Sequence, residues 1–228
     1  MASLYLTSSL KDYQQFVSDV YGFSNSRHFT VYEMLTNVER FIMRCLKGIR
    51  KSDTKKIKIN LLISLSWFLS TMNQLKIDLE DSVWKRFPYA CSYCGACPCM
   101  CKEKKIQKRL KFRKGLHSRP KTIQGLQKMF NDIYPAPQRT LESAGVHLAE
   151  EIGELSEAVL KFRGSHTDKD LENVVAEASD LFSCLMGVCN SIHFNVAKEF
   201  ARSYTNGCHV CHKTPCVCTY QFIMDFRS

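Results

Sequence analysis

No stretch of this chain is long and apolar enough to cross a bilayer. The most apolar window, INLLISLSWFL at 59–69, spans 11 residues and carries Ser64 and Ser66. A bilayer-spanning helix needs about 20 apolar residues, so this window reads as a buried helix. No basic N-terminal region leads into an apolar run, so no secretory leader is visible. The expectation is a cytoplasmic protein without a membrane partner. No segment alternates polar and apolar residues with period two, which argues against a β architecture.

Charge is also missing from most of the chain. The net charge is +10, but residues 102–121, KEKKIQKRLKFRKGLHSRPK, hold ten Lys or Arg against one Glu. That segment carries +9 of the total, and the remainder is close to neutral. The basic balance therefore describes a linker, read as a solvated Lys-rich spacer, and not a binding face on a fold. Nucleic acid as its partner is the less favoured reading.

Cysteine, by contrast, is abundant. Nine of the 12 cysteines lie in two short clusters, CSYCGACPCMC (91–101) and CHVCHKTPCVC (208–218). Both reduce to C-x2-C-x4-C-x-C with a proline before the third cysteine. In a reducing compartment such spacing favours metal over disulfides. Four thiolates from one short loop close a tetrahedral, structural Zn²⁺ site. The expected ligands are Cys91, Cys94, Cys99 and Cys101 in one cluster, and Cys208, Cys211, Cys216 and Cys218 in the other. Cys97, His209 and His212 are spare ligands. An iron–sulfur cluster or a nucleic-acid-binding knuckle is the alternative. Cys45, Cys184 and Cys189 sit in apolar helical patterns and read as core.

The repeated cluster marks a repeated unit. Aligned backwards from it, VWKRF (83–87) matches VAKEF (196–200), and NLLISLSWFLS (60–70) matches NVVAEASDLFS (173–183). YEMLTNVERFIMRCLK (32–47) matches VHLAEEIGELSEAVLK (146–161), and FVSDVYG (16–22) matches MFNDIYP (129–135). The division is 10–101, a basic linker 102–121, a second copy 122–218 and a tail 219–228. Helical periodicity runs through both copies. In the second, Ile123, Leu126, Met129, Phe130 and Ile133 mark a first helix, ended by Pro135 and Pro137. A second helix spans about 143–162, with Val146, Ala149, Ile152, Leu155, Val159 and Leu160 inward. Thr167 and Asp170 form a capping box for a third, which carries Val174, Val175, Ala178, Leu181, Phe182 and Leu185. A fourth covers about 191–204. The fold class is all-α, with four helices in each copy.

The copies differ in their acids. The second has Glu151 and Glu154 on one helix and Glu177 and Asp180 on the next, each pair spaced i, i+3 on one face. Four carboxylates inside apolar helices are costly without compensation, and Mg²⁺ supplies it. The aligned residues of the first copy are Asn37, Arg40, Ser64 and Trp67, so that copy loses the site.

EEIGELSEAV followed by ENVVAEASDLFSCLMG resembles the MazG-like all-α nucleoside triphosphate pyrophosphohydrolases, whose motif is ExxE, a spacer, then ExxD. The resemblance covers about 122–205; the first copy is similar only as a degenerate relative. It implies two tandem units forming an internal pseudo-dimer, the first as scaffold. Dimerisation of the tandem chain stays open alongside it. It also implies Mg²⁺-dependent cleavage of an NTP or dNTP to the monophosphate and pyrophosphate. Glu151, Glu154, Glu177 and Asp180 would hold Mg²⁺, and Glu150 or Glu154 would position the water. Lys198 matches the family's phosphate-contacting lysine, with Glu199 where Asn is expected. Arg202, Lys161 and Arg163 are further phosphate candidates, each also readable as a solvated cation. The competing expectation is a nucleotide-sensing or nucleic-acid-binding module without turnover.

Overall fold

The computed structural model describes residues 4–105, 118–136 and 140–227. Among them the chain is helical and has no strand. The helices are α1 (Leu10–His28), α2 (Val31–Arg50), α3 (Thr54–Gln74), α4 (Leu79–Arg86), α5 (Ile123–Ile133), α6 (Leu141–Ser165), α7 (Asp168–Ser191), α8 (Val196–Ser203) and α9 (Tyr220–Asp225).

Each begins where the sequence offers a short polar side chain. Ser9, Thr30, Asp53, Asp78, Thr122, Thr140, Thr167, Asn195 and Thr219 each accept a hydrogen bond from the backbone N–H three residues on. Such a cap contributes about 1 kcal/mol. Ser9 with Asp12, and Thr30 with Glu33, close full capping boxes. The box expected at Thr167 is only half formed. Asp170 Oδ2 accepts from the Ser165 and Thr167 hydroxyls, while the Thr167 N–H donates to Ser165 Oγ.

α2 packs on α3, and α6 on α7, as two antiparallel hairpins that meet through α2 and α6. A Cβ at the buried Gly145 would lie 2.8 Å from Ile49 Cδ1, so its absence allows that approach. Ile123, Leu126, Met129, Phe130 and Ile133 are all buried, as their spacing predicts. On α6 the inward stripe is Leu148, Ile152, Leu155, Ala158 and Val159. Val146 and Leu160 fall on its flank and are each 51% exposed, against expectation. α7 continues to Ser191, and α8 starts only after the Asn195 cap, which makes the fourth helix shorter than the expected 191–204. Pro137 and most of the basic segment lie outside the described residues. Arg119, within that segment, pairs with Glu80 and Asp81 at 3.3 and 3.2 Å.

One polar lock occurs twice. Gln14 Nε2 donates to Asn73 Oδ1 and the Ile77 carbonyl, and its Oε1 accepts from the Leu79 N–H. Gln127 Nε2 donates to Asn190 Oδ1 and the Phe194 carbonyl, and its Oε1 accepts from the Val196 N–H. Asn73 and Asn190 each return a bond to their glutamine's carbonyl. Asn73 with Asn190, Leu79 with Val196, and Cys91 with Cys208 are all 117 positions apart.

That spacing corrects the register read from the sequence by four residues, about one helical turn. Asn60 and Ile63, not Ser64 and Trp67, stand opposite Glu177 and Asp180. Leu79, not Val83, stands opposite Val196. A one-turn slip preserves the apolar stripe, so periodicity alone does not expose it.

Gln127→Ala strands two carbonyl-type acceptors and one N–H in a buried setting. It should destabilise the chain by about 1–3 kcal/mol in urea unfolding, and Gln14→Ala by a similar amount.

Candidate functional site: an acidic cavity and two cysteine knuckles

Glu151 on α6 and Glu177 and Asp180 on α7 face one another. One carboxylate oxygen from each lies within 4.8 Å of the others. An octahedral Mg²⁺ with ligands at about 2.1 Å spans about 4.2 Å between opposite oxygens. Adjacent oxygens on such an ion lie about 3 Å apart, so the trio would draw in by up to about 2 Å to grip it. Glu151 Oε2 is buried with no hydrogen-bond partner, which is what an unfilled ligand position looks like. Burial, then the charges of Asp180, Glu154 and Glu177, push the Glu151 carboxyl up to about 8.

The fourth member of the cluster is Arg86. It comes from the end of α4, in the other half of the chain. Its Nε donates to Asp180 Oδ1 at 3.0 Å and its Nη2 to Asp180 Oδ2, a bidentate pair with both side chains more than 80% buried. Burial lowers the Arg86 pKa, but the Asp180 contact and the charges of Glu177 and Glu151 outweigh it and hold the guanidinium charged. One cation thus faces three carboxylates.

Of this cluster, Glu151 and Asp180 line a cavity of about 750 Å³. Its floor is α6 and α7, through Ser143, His147, Glu151, Glu154, Asp180, Ser183 and Cys184. Its roof is Phe87 and the first cysteine cluster. Cys184, expected in the core, is thus on the cavity wall, whereas Cys45 and Cys189 are buried.

The structure brings together only part of the expected site. Glu154 lines the cavity but is exposed and lies outside the tight trio. Glu150 is exposed and does not line it; it lies about 100° around the helix from Glu151. Lys198 is exposed on α8, which packs on α3 and α5 rather than on α7. Arg202 pairs with Glu199 and Lys161 with Glu157, both at 2.5 Å, and Arg163 is exposed. None of these four cations lines the cavity. Lys102 is a cation of its lining, and Arg86 meets the site through Asp180. α4 of one half packs on α7 of the other, an exchange invisible in a within-copy alignment. Its signal was an arginine at the end of an otherwise matched helix.

The cysteine clusters hold the geometry of metal sites. Cys91 Sγ is 3.7 Å from Cys101 Sγ, and Cys94 Sγ is 3.9 Å from Cys99 Sγ. In the second cluster, Cys208–Cys218 and Cys211–Cys216 are 3.9 and 3.8 Å apart. A tetrahedron with Zn–S of about 2.3 Å has edges of about 3.8 Å, whereas a disulfide is about 2.05 Å. Backbone N–H groups of Tyr93, Met100, Val210 and Cys218 point at sulfurs from 3.4 Å, which supports thiolate charge. Gly207, at φ +108°, makes the turn into the second knuckle; a Cβ there would sit 2.3 Å from Thr214 Oγ1. Cys97 is exposed and His212 is exposed, and neither joins a four-cysteine set. His209 Nδ1 instead meets Tyr21 Oη at 3.3 Å.

Each knuckle is anchored to the opposite half. The Cys99 N–H donates to the Ile133 carbonyl of α5, and the Cys216 N–H to the Val20 carbonyl of α1, at 2.8 and 2.7 Å. The second knuckle and Tyr204 roof a smaller cavity over α2 and α3, as the first knuckle and Phe87 roof the acidic one.

Elemental analysis should find about two zinc ions per chain, and chelation should release both while lowering the melting temperature. Glu151 carries a raised folded-state pKa. Its stabilising contribution is present in full below the unfolded value near 4.5 and is lost as pH rises through about 8. Without added divalent cation, wild type should therefore lose more melting temperature between pH 6 and pH 9 than Glu151→Gln does. Added Mg²⁺ should recover wild type more at pH 9 than at pH 6.

Scans against protein-family models, curated proteins and solved structures found no match, so the chemistry of this chain has to be argued from its own geometry.

Proposed function

We propose that the acidic cavity is the active site of a divalent-cation-dependent nucleoside triphosphate pyrophosphohydrolase, built as a MazG-like tandem. In this reading the second half carries the metal ligands, and the first half, short of them, acts as scaffold and supplies the roof. The single observation that carries the reading is the convergence of Glu151, Glu177 and Asp180 with the orphaned Glu151 Oε2. The paired hydrogen-bond locks and the reciprocal roofs support the tandem part of it.

The roles follow from position. Glu151, Glu177 and Asp180 would hold the cation. When bound, Mg²⁺ would neutralise phosphate charge and favour hydroxide formation from a nearby water. Glu154, at the cavity edge and outside the trio, is placed to orient that water and take its proton. Glu150 is dropped from that role because it faces away. Arg86 balances the carboxylates before a metal arrives. With Asp180 committed to a metal, the Arg86 guanidinium would be available to a phosphate oxygen, the role first expected of Lys198. Phe87, Tyr93 and Tyr134 give the cavity an aromatic wall against which a base can stack.

Purified chain with Mg²⁺ and a panel of NTPs and dNTPs should release pyrophosphate and the monophosphate. Asp180→Asn and Glu177→Gln should each lower kcat by about 100-fold or more, a loss of about 3 kcal/mol of transition-state stabilisation. Arg86→Gln should raise KM for the nucleotide and weaken the pair's contribution to folding. Glu150→Gln and Lys198→Gln should change little. Nucleotide binding without pyrophosphate release from any substrate would favour the sensing module instead.

A further inference from the structure

The cavity of the first half is polarised in the opposite sense from the acidic one. At its rim Arg40 and Arg44, one turn apart on α2, converge on a single backbone oxygen. Arg40 Nη2 donates to the Phe226 carbonyl, and Arg44 Nη1 donates to the same oxygen at 3.1 Å. Arg40 also donates to the Ile223 carbonyl at 3.4 Å and to Asn37 Oδ1 at 3.2 Å. Neither guanidinium has a carboxylate within ion-pair distance among the described residues. Burial lowers the Arg40 pKa, the charges of Arg44 and Arg227 add to this, and Asp225 only offsets it. Two half-buried like charges focused on one neutral carbonyl leave a position for an anion unfilled.

Behind that rim lies an aromatic cavity lined by Tyr21, Phe41, Trp67, Tyr204 and His209. Two of its polar atoms are buried without a hydrogen bond. They are Tyr204 Oη, on a side chain only 2% exposed, and His209 Nε2. Ser66 stands beside Tyr204 without completing a bond to it. Buried donors and acceptors left unpaired in an aromatic recess are what a heteroaromatic ring with its own polar edge would satisfy.

The chain fills this site with its own C-terminal segment. The Phe226 ring packs 6.4 Å from Phe41 and 5.7 Å from His209, while its carbonyl takes the two arginines. With that segment seated, about 50 Å³ of the cavity is left. The plug is lightly held. α9 has no buried residue, and Tyr220, Phe222 and Met224 are each more than 40% exposed. Phe226 thus offers an aromatic ring and an oxygen acceptor a short distance apart, the pair of features that a nucleotide offers more strongly.

We propose that the first half's cavity is a binding site for a nucleoside monophosphate, its base against Trp67 and Tyr204 and its phosphate on Arg40 and Arg44, with the segment 219–227 as a displaceable lid. A phosphate replaces a carbonyl dipole with a full charge, bidentate to the arginines, so ligand and lid compete for one place. This site is separate from the acidic cavity and needs no metal, so it stands whether or not that cavity turns over nucleotide.

The test uses the full chain with Asp180→Asn and no added Mg²⁺, so that the acidic cavity contributes no turnover while the cysteine clusters keep any ion they hold. Trp84→Phe leaves Trp67 as the one tryptophan of the chain. AMP, GMP, CMP and UMP are titrated against its fluorescence, with inorganic phosphate as the anion control. At least one monophosphate should give a saturable change. Arg40→Gln with Arg44→Gln should weaken it by about ten-fold or more, with an unchanged far-UV circular dichroism spectrum. Phe226→Ala, which loosens the lid without touching either arginine, should tighten it by about three-fold or more. The proposal is overturned if no monophosphate perturbs Trp67 or if Phe226→Ala fails to tighten binding. It is equally overturned if inorganic phosphate binds as tightly as every monophosphate.

Discussion

Neither half of this chain closes its own cavity. The first knuckle and Phe87 roof the acids of α6 and α7, and the second knuckle and Tyr204 roof the recess over α2 and α3. Two backbone hydrogen bonds, from Cys99 to Ile133 and from Cys216 to Val20, fix that exchange. The hairpins, the buried α2–α6 contact and the glutamine locks all serve to hold the roofs in place. A knuckle is a small loop with little core, so its rigidity has to come from a metal. The cysteines are therefore not only staples for the ends of helices. They are cavity walls, and a metal ion held by either cluster would stiffen the cavity it roofs.

The two cavities solve opposite electrostatic problems. In one, three carboxylates share a single guanidinium, and the shortfall appears as a proton held on Glu151 near pH 8. In the other, two guanidiniums share a carbonyl, and the shortfall appears as a tail segment recruited to cover them. Both arrangements leave buried polar atoms without partners: Glu151 Oε2 on one side, Tyr204 Oη and His209 Nε2 on the other. Unpaired buried groups are rare because they cost stability, and here they gather in these two recesses.

Helix positions and core faces were largely legible. The cap Thr167 and the stripe from Ile123 to Ile133 are local signals, and local physics decides them, whereas the Asn195 cap inside the expected fourth helix went unread. The carboxylate trio was legible for the same reason, since i, i+3 spacing fixes a face. What failed was whatever depended on the third dimension. Glu150 shares α6 with Glu151 but points elsewhere, and Lys198 sits on α8, which packs on α3 and α5 away from the acids. Val146 and Leu160 are apolar yet flank the stripe. Arg86 could not be found within one copy, because the chain contributes it across the middle of the molecule. The alignment itself slipped a turn at α3, since one turn moved along a helix leaves every apolar position in place. The tail was given only bounds, 219–228, because the six residues of α9 are too few to show a period.

The salt bridge between Arg86 and Asp180 joins residues 94 positions apart, on opposite sides of the basic segment. A genetic map of this chain would therefore be deceptive. Lesions in the half without acids would behave as lesions of the half that has them, and complementation between separately expressed halves would need the roofs to find each other. Arg86, Phe87 and the first cysteine cluster are where the first half reaches the acids of the second.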